Sequence, residues 1–536
     1  MKALFREVAL CAFFVAAAGF ALRPLPFHLT GSIPAGSDPP HHVYILNWLL
    51  DYGLTSERFE GRMFHPAKNA VLRSDLSMGT VVLMAPFAPF VREPLIRFNL
   101  ATWLSLAFSG WAFCLLARSW TGSPLAGIFA GATAVLGSHQ ALHYVHLNLL
   151  SVGWLPIFLL ALDRILSGGS PAWVVLTGVS FALVASSSGY YGVAAGVVAV
   201  VFFVSRPSRR GLKTGLVAAG LAALLLAPYL IAYAGLRAEE SLVRTSRELA
   251  RGSWTMADVG SRALLHRAWN AAPGEPLFPG LAVLALSLVA LRLGSRRERT
   301  LGVATLFLFW LGLGEPGGLY RVVVLVPPFS SMRHPVTLTA VGVFLLSVLA
   351  AWGLTHVRKT RPELGIALAA LGLAETLTPA NTFVEVAPGV PAVYEALLKL
   401  PRGPVLDVPP YQAQPLIWAA RRGFETVNGG GAFIPALTTR IETTTQNHWL
   451  TDSYQPIDES KAAGILLNET AMRYLILPGG RVGGLDPLIQ RFQQSRCFKW
   501  LGEYESDFLY EAVREPACAA WIQASSSQGK APGVAE

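Results

Sequence analysis

The residues whose types and spacing could do chemistry lie in a handful of short polar stretches. Asp38 stands in Gly-Ser-Asp-Pro-Pro-His-His, a few residues beyond an apolar N-terminal run. A carboxylate at a water–membrane boundary can serve as a general base or a metal ligand, and partial burial can tune its pKa. Gly-Ser-Asp-Pro is also ordinary turn chemistry, so both readings stay open on spacing alone. His41 and His42 follow directly, and Asp75 lies near the end of the same polar segment. His139, His143 and His146 recur at i, i+4 and i+7, so a continuous helix would carry them on one face. Imidazoles at that spacing suit a metal or phosphate oxygens; with no thiolate or carboxylate nearby in sequence, lining a substrate cavity is the stronger expectation. Arg333, in Pro-Pro-Phe-Ser-Ser-Met-Arg-His-Pro, can grip a phosphate through two parallel hydrogen bonds, or anchor a span at the interface.

Other features carry less. Glu275, in Gly-Glu-Pro-Leu-Phe-Pro-Gly, joins His143 and Asp75 as a candidate helper. Glu239, Glu240, Arg244, Arg247, Glu248 and Asp258 read mainly as the solvated face of an amphipathic loop helix. Asn428-Gly-Gly-Gly431 reads as a flexible turn, since no helix-opening pattern suited to a nucleotide follows. The chain holds no phosphate-cradling P-loop, nucleophile elbow, His-Glu-x-x-His or Cys-x-x-Cys pattern.

The elements that must position these residues are apolar. Of 536 residues, 53% are hydrophobic and 14% are charged, which excludes an ordinary water-soluble enzyme. The apolar residues fall in blocks of about 15 to 20, close to the length that crosses a bilayer as a helix. Blocks are expected at 1–22, 79–91, 97–117, 123–137, 147–163, 172–186, 189–204, 213–232, 276–292, 300–313, 335–354 and 364–375. The first is read as a retained span, because no small-residue cleavage site follows Ala21. The block 79–91 is short and carries Pro86 and Pro89, so it is read as partial or re-entrant.

The net charge of +10 is sorted rather than scattered. Arg206, Arg209, Arg210 and Lys213, then Arg292, Arg296, Arg297 and Arg299, then Arg358, Lys359 and Arg361 occupy short connectors. Such loops mark the cytoplasmic side, so the basic balance is a topology signal and no nucleic-acid partner is expected. The resulting expectation is about eleven full crossings, N-terminus cytoplasmic and C-terminus outside. The polar stretches 23–78, 138–147, 233–275 and 314–334 then face outward, and His41 to Gly53 is expected as an amphipathic helix on the membrane surface.

From 381 the composition changes to short helix and strand patterns, giving an extracytoplasmic α/β domain over 381–521 and a Ser/Gly/Pro/Ala tail over 522–536. Cys497 and Cys518 both fall in this region, where a disulfide would persist. The fold class expected is a mainly α polytopic bundle over 1–380, with outer loop 23–78 carrying the site, followed by that small domain.

This arrangement resembles the GT-C superfamily of integral-membrane glycosyltransferases: a first span, a long outer loop with an early acid, many Leu/Ala-rich spans and an exported C-terminal domain. NLATWLSLAFSGWAFCLLARSWTGSPLAGIFAG, HYVHLNLLSVGWLPIFLLALDR, GEPLFPG and VPPFSSMRHPVTLTAVGVFLL are similar to segments of bacterial membrane proteins grouped with it. The resemblance implies a bacterial cytoplasmic-membrane enzyme that moves a sugar from a polyprenyl-phosphate donor to a glycan, lipid or protein acceptor. It implies that Asp38 activates the acceptor or binds a divalent metal such as Mg or Mn; where many members pair two acids, Asp38 is followed by Pro39 and Pro40. Arg333 and His146 would hold the donor phosphate, with His41, His42 or Asp75 assisting. A transporter or flippase of lipid-linked sugars and a non-catalytic polysaccharide-assembly protein share the same outline.

Overall fold

In the computed structural model, the residues described are 2–240, 251–255, 258, 260, 263–269, 276–387, 389–408, 414–431, 433–446, 465–478, 497–514 and 518. Each apolar block read from the sequence contains helix, which in 79–91 stops at Met84, because in hydrocarbon a chain can satisfy its amides only within itself. The helices are α1 (Lys2–Ala21), α2 (Asp38–Tyr52), α3 (Met78–Met84), α4 (Pro94–Thr121), α5 (Pro124–Leu136), α6 (Ser138–Leu142), α7 (Leu147–Leu150) and α8 (Trp154–Leu166). They continue as α9 (Pro171–Ser187), α10 (Gly189–Ser205), α11 (Arg209–Glu240), α12 (Leu281–Leu293), α13 (Arg296–Gly312), α14 (Val336–Thr360) and α15 (Pro362–Ala374).

The chain is a multi-pass membrane protein. Among the described residues six stretches are long and apolar enough to cross alone: Leu4–Ala21, Pro94–Thr121, Pro124–Val145, Leu147–Leu166, Arg209–Glu239 and Val336–Thr360. Pro171–Ser187, Gly189–Ser205, Leu281–Leu293 and Pro362–Ala374 are apolar but shorter. At 1.5 Å per residue, 13 to 17 residues rise only about 20 to 25 Å against a hydrocarbon core of roughly 30 Å. Length and composition thus single out six helices among the described residues that can cross alone, and do not by themselves give the expected count of about eleven. The expected partial segment is a seven-residue helix, α3, seated against α9.

Contacts divide the chain into two compact units: 1–35, 75–91 and 99–384; and 36–74, 92–98 and 385–536. The outer-loop stretch 36–74 thus belongs with the C-terminal residues rather than with the helical bundle.

In the first unit α14 is the central helix, buried from Val336 to Leu354 save for Val343 and packed against α5, α10, α12, α13 and α15. One end of this unit is fastened by Asp163 of α8. Its carboxylate accepts from Trp120 Nε1 at 3.1 Å and pairs with Arg206 at 2.7 Å and Arg297 at 3.3 Å. Three of the basic connectors' neighbours thereby converge: the C-terminal ends of α8 and α10 and the N-terminal end of α13. Trp352 of α14 stacks on Trp120 at 5.2 Å beside them.

The second unit contains a four-stranded sheet of β1 (Val405–Asp407), β2 (Tyr474–Pro478), β3 (Phe498–Tyr504) and β4 (Asp507–Ala512), in the order β1-β2-β4-β3. β1 runs parallel to β2, while β4 is antiparallel to both β2 and β3. The parallel pair needs a crossover, and α16 (Gln414–Arg422) lies within it. Leu406, Leu475, Leu477, Phe498 and Tyr510 form the core on this sheet. Cys497 and Cys518 are joined by a disulfide, with Cα atoms 5.4 Å apart.

Two expectations change here. α2 does not lie with one face on a membrane surface; Pro39 to Leu49 are all buried, and α2 packs on α16. Its periodicity was that of a helix clad by protein. Asn428-Gly-Gly-Gly431 is not a loose turn either. Asn428 is fully buried, accepting from Asp407 N at 2.8 Å and donating to Asp407 O at 2.5 Å. A Cβ on Gly429 would stand 2.2 Å from the Phe64 ring, and one on Gly430 would stand 2.9 Å from His41 Cβ. The glycines are there for close approach.

Candidate active site

Asp75 sits at the centre of a polar cluster in the first unit. It is half-buried, and its position is set by the segment that follows it. Ser77 adopts a left-handed turn (φ 51°) that opens α3, and α3 is tied down at Gly79. Gly79 N donates to Ser187 Oγ at 2.7 Å, and Trp154 Nε1 donates to Gly79 O at 3.1 Å. A Cβ at Gly79 would meet Trp154 at 2.4 Å and Ser187 Oγ at 2.7 Å, so only glycine lets this segment dock on α8 and α9.

The Asp75 carboxylate accepts from Asn148 Nδ2 at 2.6 Å and, at 3.4 Å, from the Gly189 amide at the start of α10. Burial pushes its pKa up to about 6, opposed in turn by the Gly189 amide, the Asn148 amide and the nearby His146. A carboxylate so placed is mostly ionised at neutral pH yet basic enough to exchange a proton near it.

His143 Nδ1 and His146 Nδ1 are 3.0 Å apart, so one of them must donate and the other accept. The ring series continues to His139, with centroid distances of 5.0 Å between His146 and His143 and 4.2 Å between His143 and His139. The three imidazoles do meet, but not along one helix. α6 ends at Leu142, His143–Val145 is a 3-10 turn and His146 is extended before α7. Asp75, His143 and His146 are therefore brought together, and Asn148 and the Gly189 amide complete the cluster. Sequence reasoning missed those two. Asn148 lies two residues beyond the last histidine, and a neutral amide carries no chemical signal until its carboxylate partner is seen.

The other candidates stand elsewhere. Asp38 occupies the first turn of α2 in the second unit, with Ser37 Oγ donating to Asp38 Oδ1 at 3.2 Å. Pro39 and Pro40 start this helix without N–H groups, which removes two of the amides that would draw a first-turn carboxylate into capping. His41 and His42 stack at 4.2 Å between centroids, and His41 Nε2 lies 3.3 Å from Ser74 Oγ. Arg333 is exposed in the first unit, three residues before α14, and is not among the groups bonded or electrostatically coupled to Asp75. Its neighbourhood is built by Val336 N donating to Gly252 O at 3.0 Å and Arg237 donating to Ser331 Oγ at 3.0 Å. Glu275 lies outside the described residues.

Glu375 is a buried acid that sequence reading passed over. It accepts from the Leu281 and Ala282 amides at 2.8 and 2.9 Å and from His266 at 3.0 Å, which makes it a cap on the N-terminus of α12. Among the described residues no group of three or more His, Cys, Asp or Glu is arranged to hold a metal ion, so no step is assigned to the expected divalent metal.

No protein-family model matches the chain, and no curated protein matches it in sequence. Solved structures match it in fold, an arabinofuranosyltransferase and archaeal oligosaccharyltransferases among them. The arabinofuranosyltransferase AftD from Mycobacteria superposes with a TM-score of 0.61 over 95% of this chain at 14% identity. The Archaeoglobus fulgidus oligosaccharyltransferase gives 0.53 over 88% at 12% identity. AglB from the same organism, solved with an inhibitory peptide and a dolichol-phosphate, gives 0.51 over 88% at 13% identity. The chain spans 40% of the length of AftD and 69% of the length of each of the two archaeal structures.

Proposed function

We propose that the protein is a membrane glycosyltransferase, moving a sugar from a polyprenyl-phosphate donor to an extracytoplasmic acceptor at the bacterial cytoplasmic membrane. The observation that carries this reading is the Asp75–Asn148–His146–His143 cluster, a preorganised acid–imidazole group on a fold shared with glycosyltransferases. The AglB neighbour is solved with a dolichol-phosphate, a lipid phosphate of the class the reading requires as donor carrier.

In the proposed reaction Asp38 takes the proton from an acceptor hydroxyl. The acceptor oxygen then bonds to the anomeric carbon while the bond from that carbon to the donor phosphate breaks, and the electron pair leaves on the phosphate. His146, oriented by His143 and placed by the loop that Asp75 ties down through Asn148, would stabilise that developing charge, as would Arg333. Asp75 is thus a positioning residue and Asp38 the base. The basic connectors orient the N-terminus to the cytoplasm and the C-terminal domain outside, where it would recognise the acceptor.

The alternative roles are separated by one assay. Purified protein is given a polyprenyl-phosphate sugar and an acceptor, and product formation is compared with transbilayer movement of the intact donor. Transfer supports the reading; movement without transfer identifies a flippase, and neither with retained glycan binding identifies an assembly protein.

A further inference from the structure

A groove of about 490 Å³ lies between α10 and α13 in the first unit. Its walls are apolar and outward-facing: Val200 and Val204 are 62% and 74% exposed, and Val303 is 55% exposed. One end is different, since Arg296, Arg299, Ser205 and Thr300 line it. On α13 the spacing Arg296, Arg299, Thr300, Val303, Phe307 follows a single helical face, so the basic pair and the apolar wall form one stripe. From Arg296 to Phe307 that stripe rises about 16 Å, close to the depth of one leaflet in a hydrocarbon core of roughly 30 Å.

The arginines of this region have separate duties. Asp163 holds Arg206 and Arg297, and Arg297 also lies over the Trp120 ring at 5.6 Å. Among the described residues no carboxylate pairs with Arg296 or Arg299, and both are exposed at the mouth of the groove. A groove with two cationic forks at one end and a hydrocarbon wall one leaflet deep complements an anionic lipid in charge and in polarity. The basic connectors place this end in the cytoplasmic leaflet, where a positive pocket between spans meets such lipids.

We propose that the α10–α13 groove binds an anionic glycerophospholipid of the surrounding bilayer, its phosphate on Arg296 and Arg299 and an acyl chain along Val200, Val204, Val303 and Phe307. The site is independent of the glycosyl-transfer reading. Bound lipid would bridge two helices whose other tie at this end is Asp163.

The test is lipid retention by the full-length protein, measured by native mass spectrometry in detergent with added phosphatidylglycerol, phosphatidylcholine or undecaprenyl phosphate. Phosphatidylglycerol should be preferred over phosphatidylcholine by roughly thirtyfold, from about fivefold for each arginine. R296Q/R299Q should bring the two lipids level, whereas R296K/R299K should keep most of the preference. Should the glutamine variant fail to fold, Val303→Trp fills the groove and should lower phosphatidylglycerol retention with the charges intact. Equal retention of the two phospholipids by the wild type, undiminished preference in the folded variants, or stronger retention of undecaprenyl phosphate would overturn the proposal.

Discussion

Asp75 accepts a 2.6 Å hydrogen bond from the Asn148 side chain, which ties the residue just before α3 to the segment carrying the histidines. Each partner sets the other's chemistry: the amide stabilises the carboxylate anion against its burial, and the carboxylate orients the loop that places His146.

The first prediction concerns pH. Burial raises the Asp75 pKa from 3.8 to about 6, so between those values the folded protein holds a proton that the unfolded chain has released. Stability must therefore fall as pH rises through this window and level off above it. Asp75→Asn should flatten thermal unfolding curves between pH 4 and 6. If Asp75 supports transfer as its anion, activity should show an acidic limb with a midpoint near 6. Asn148→Ala should move that limb up by about one unit, since a hydrogen bond to a charged group is worth about 1.5 kcal/mol or more.

A second prediction follows from Gly79. Gly79→Ala places a methyl group against the Trp154 ring and Ser187 Oγ, both under 3 Å away, and should displace α3 with Asp75. Overpacking of this kind costs about 1–3 kcal/mol. Thermal unfolding should report that loss, and the pH limb assigned to Asp75 should shift or vanish.

At the opposite end, Asp163→Asn should leave Arg206 and Arg297 without their shared carboxylate. Breaking a fully buried pair costs about 3–5 kcal/mol, and because both arginines stay partly exposed we expect about 2 kcal/mol. Detergent-solubilised protein should unfold earlier, with transfer kinetics below the unfolding temperature little changed.

The disulfide gives a fourth test. Cys497 and Cys518 are separated by 21 residues, so replacing both by Ser should destabilise the C-terminal unit by about 3 kcal/mol through the entropy of the unfolded chain. Limited proteolysis under reducing conditions should cut that unit of wild type at the rate seen for the double variant.

Much of the fold was legible because it rests on one-dimensional signals. Apolar blocks became helices, and Val405–Asp407, Tyr474–Pro478 and the strand pair around Glu505–Ser506 fall in the region whose composition reads as short helices and strands. Span counting was less secure, since Leu281–Leu293 and Pro362–Ala374 are helical without being long enough to cross alone. What was not legible depends on three-dimensional partners. The α2 pattern could not tell burial against α16 from burial in lipid, because both reward the same apolar spacing. Asn428 and its glycines looked loose because the Phe64 and His41 side chains that require them lie more than 350 residues away in sequence. His139, His143 and His146 were read on one helix, whereas a break at His143 brings their rings together. Asp75 stood among the helpers, and only the Asn148 and Gly189 contacts show how it is held.

The most direct measurement is transfer of sugar from a polyprenyl-phosphate donor by purified wild type, Asp38→Asn and Asp75→Asn, each matched for folding by its unfolding temperature. Wild type should form product, and Asp38→Asn should lower kcat by about a hundredfold or more, as expected for loss of a general base. Asp75→Asn should lose the acidic limb near pH 6 while keeping measurable turnover. Wild-type transfer rates in Asp38→Asn, or absence of transfer by wild type while the intact lipid-linked sugar crosses the bilayer, would contradict it.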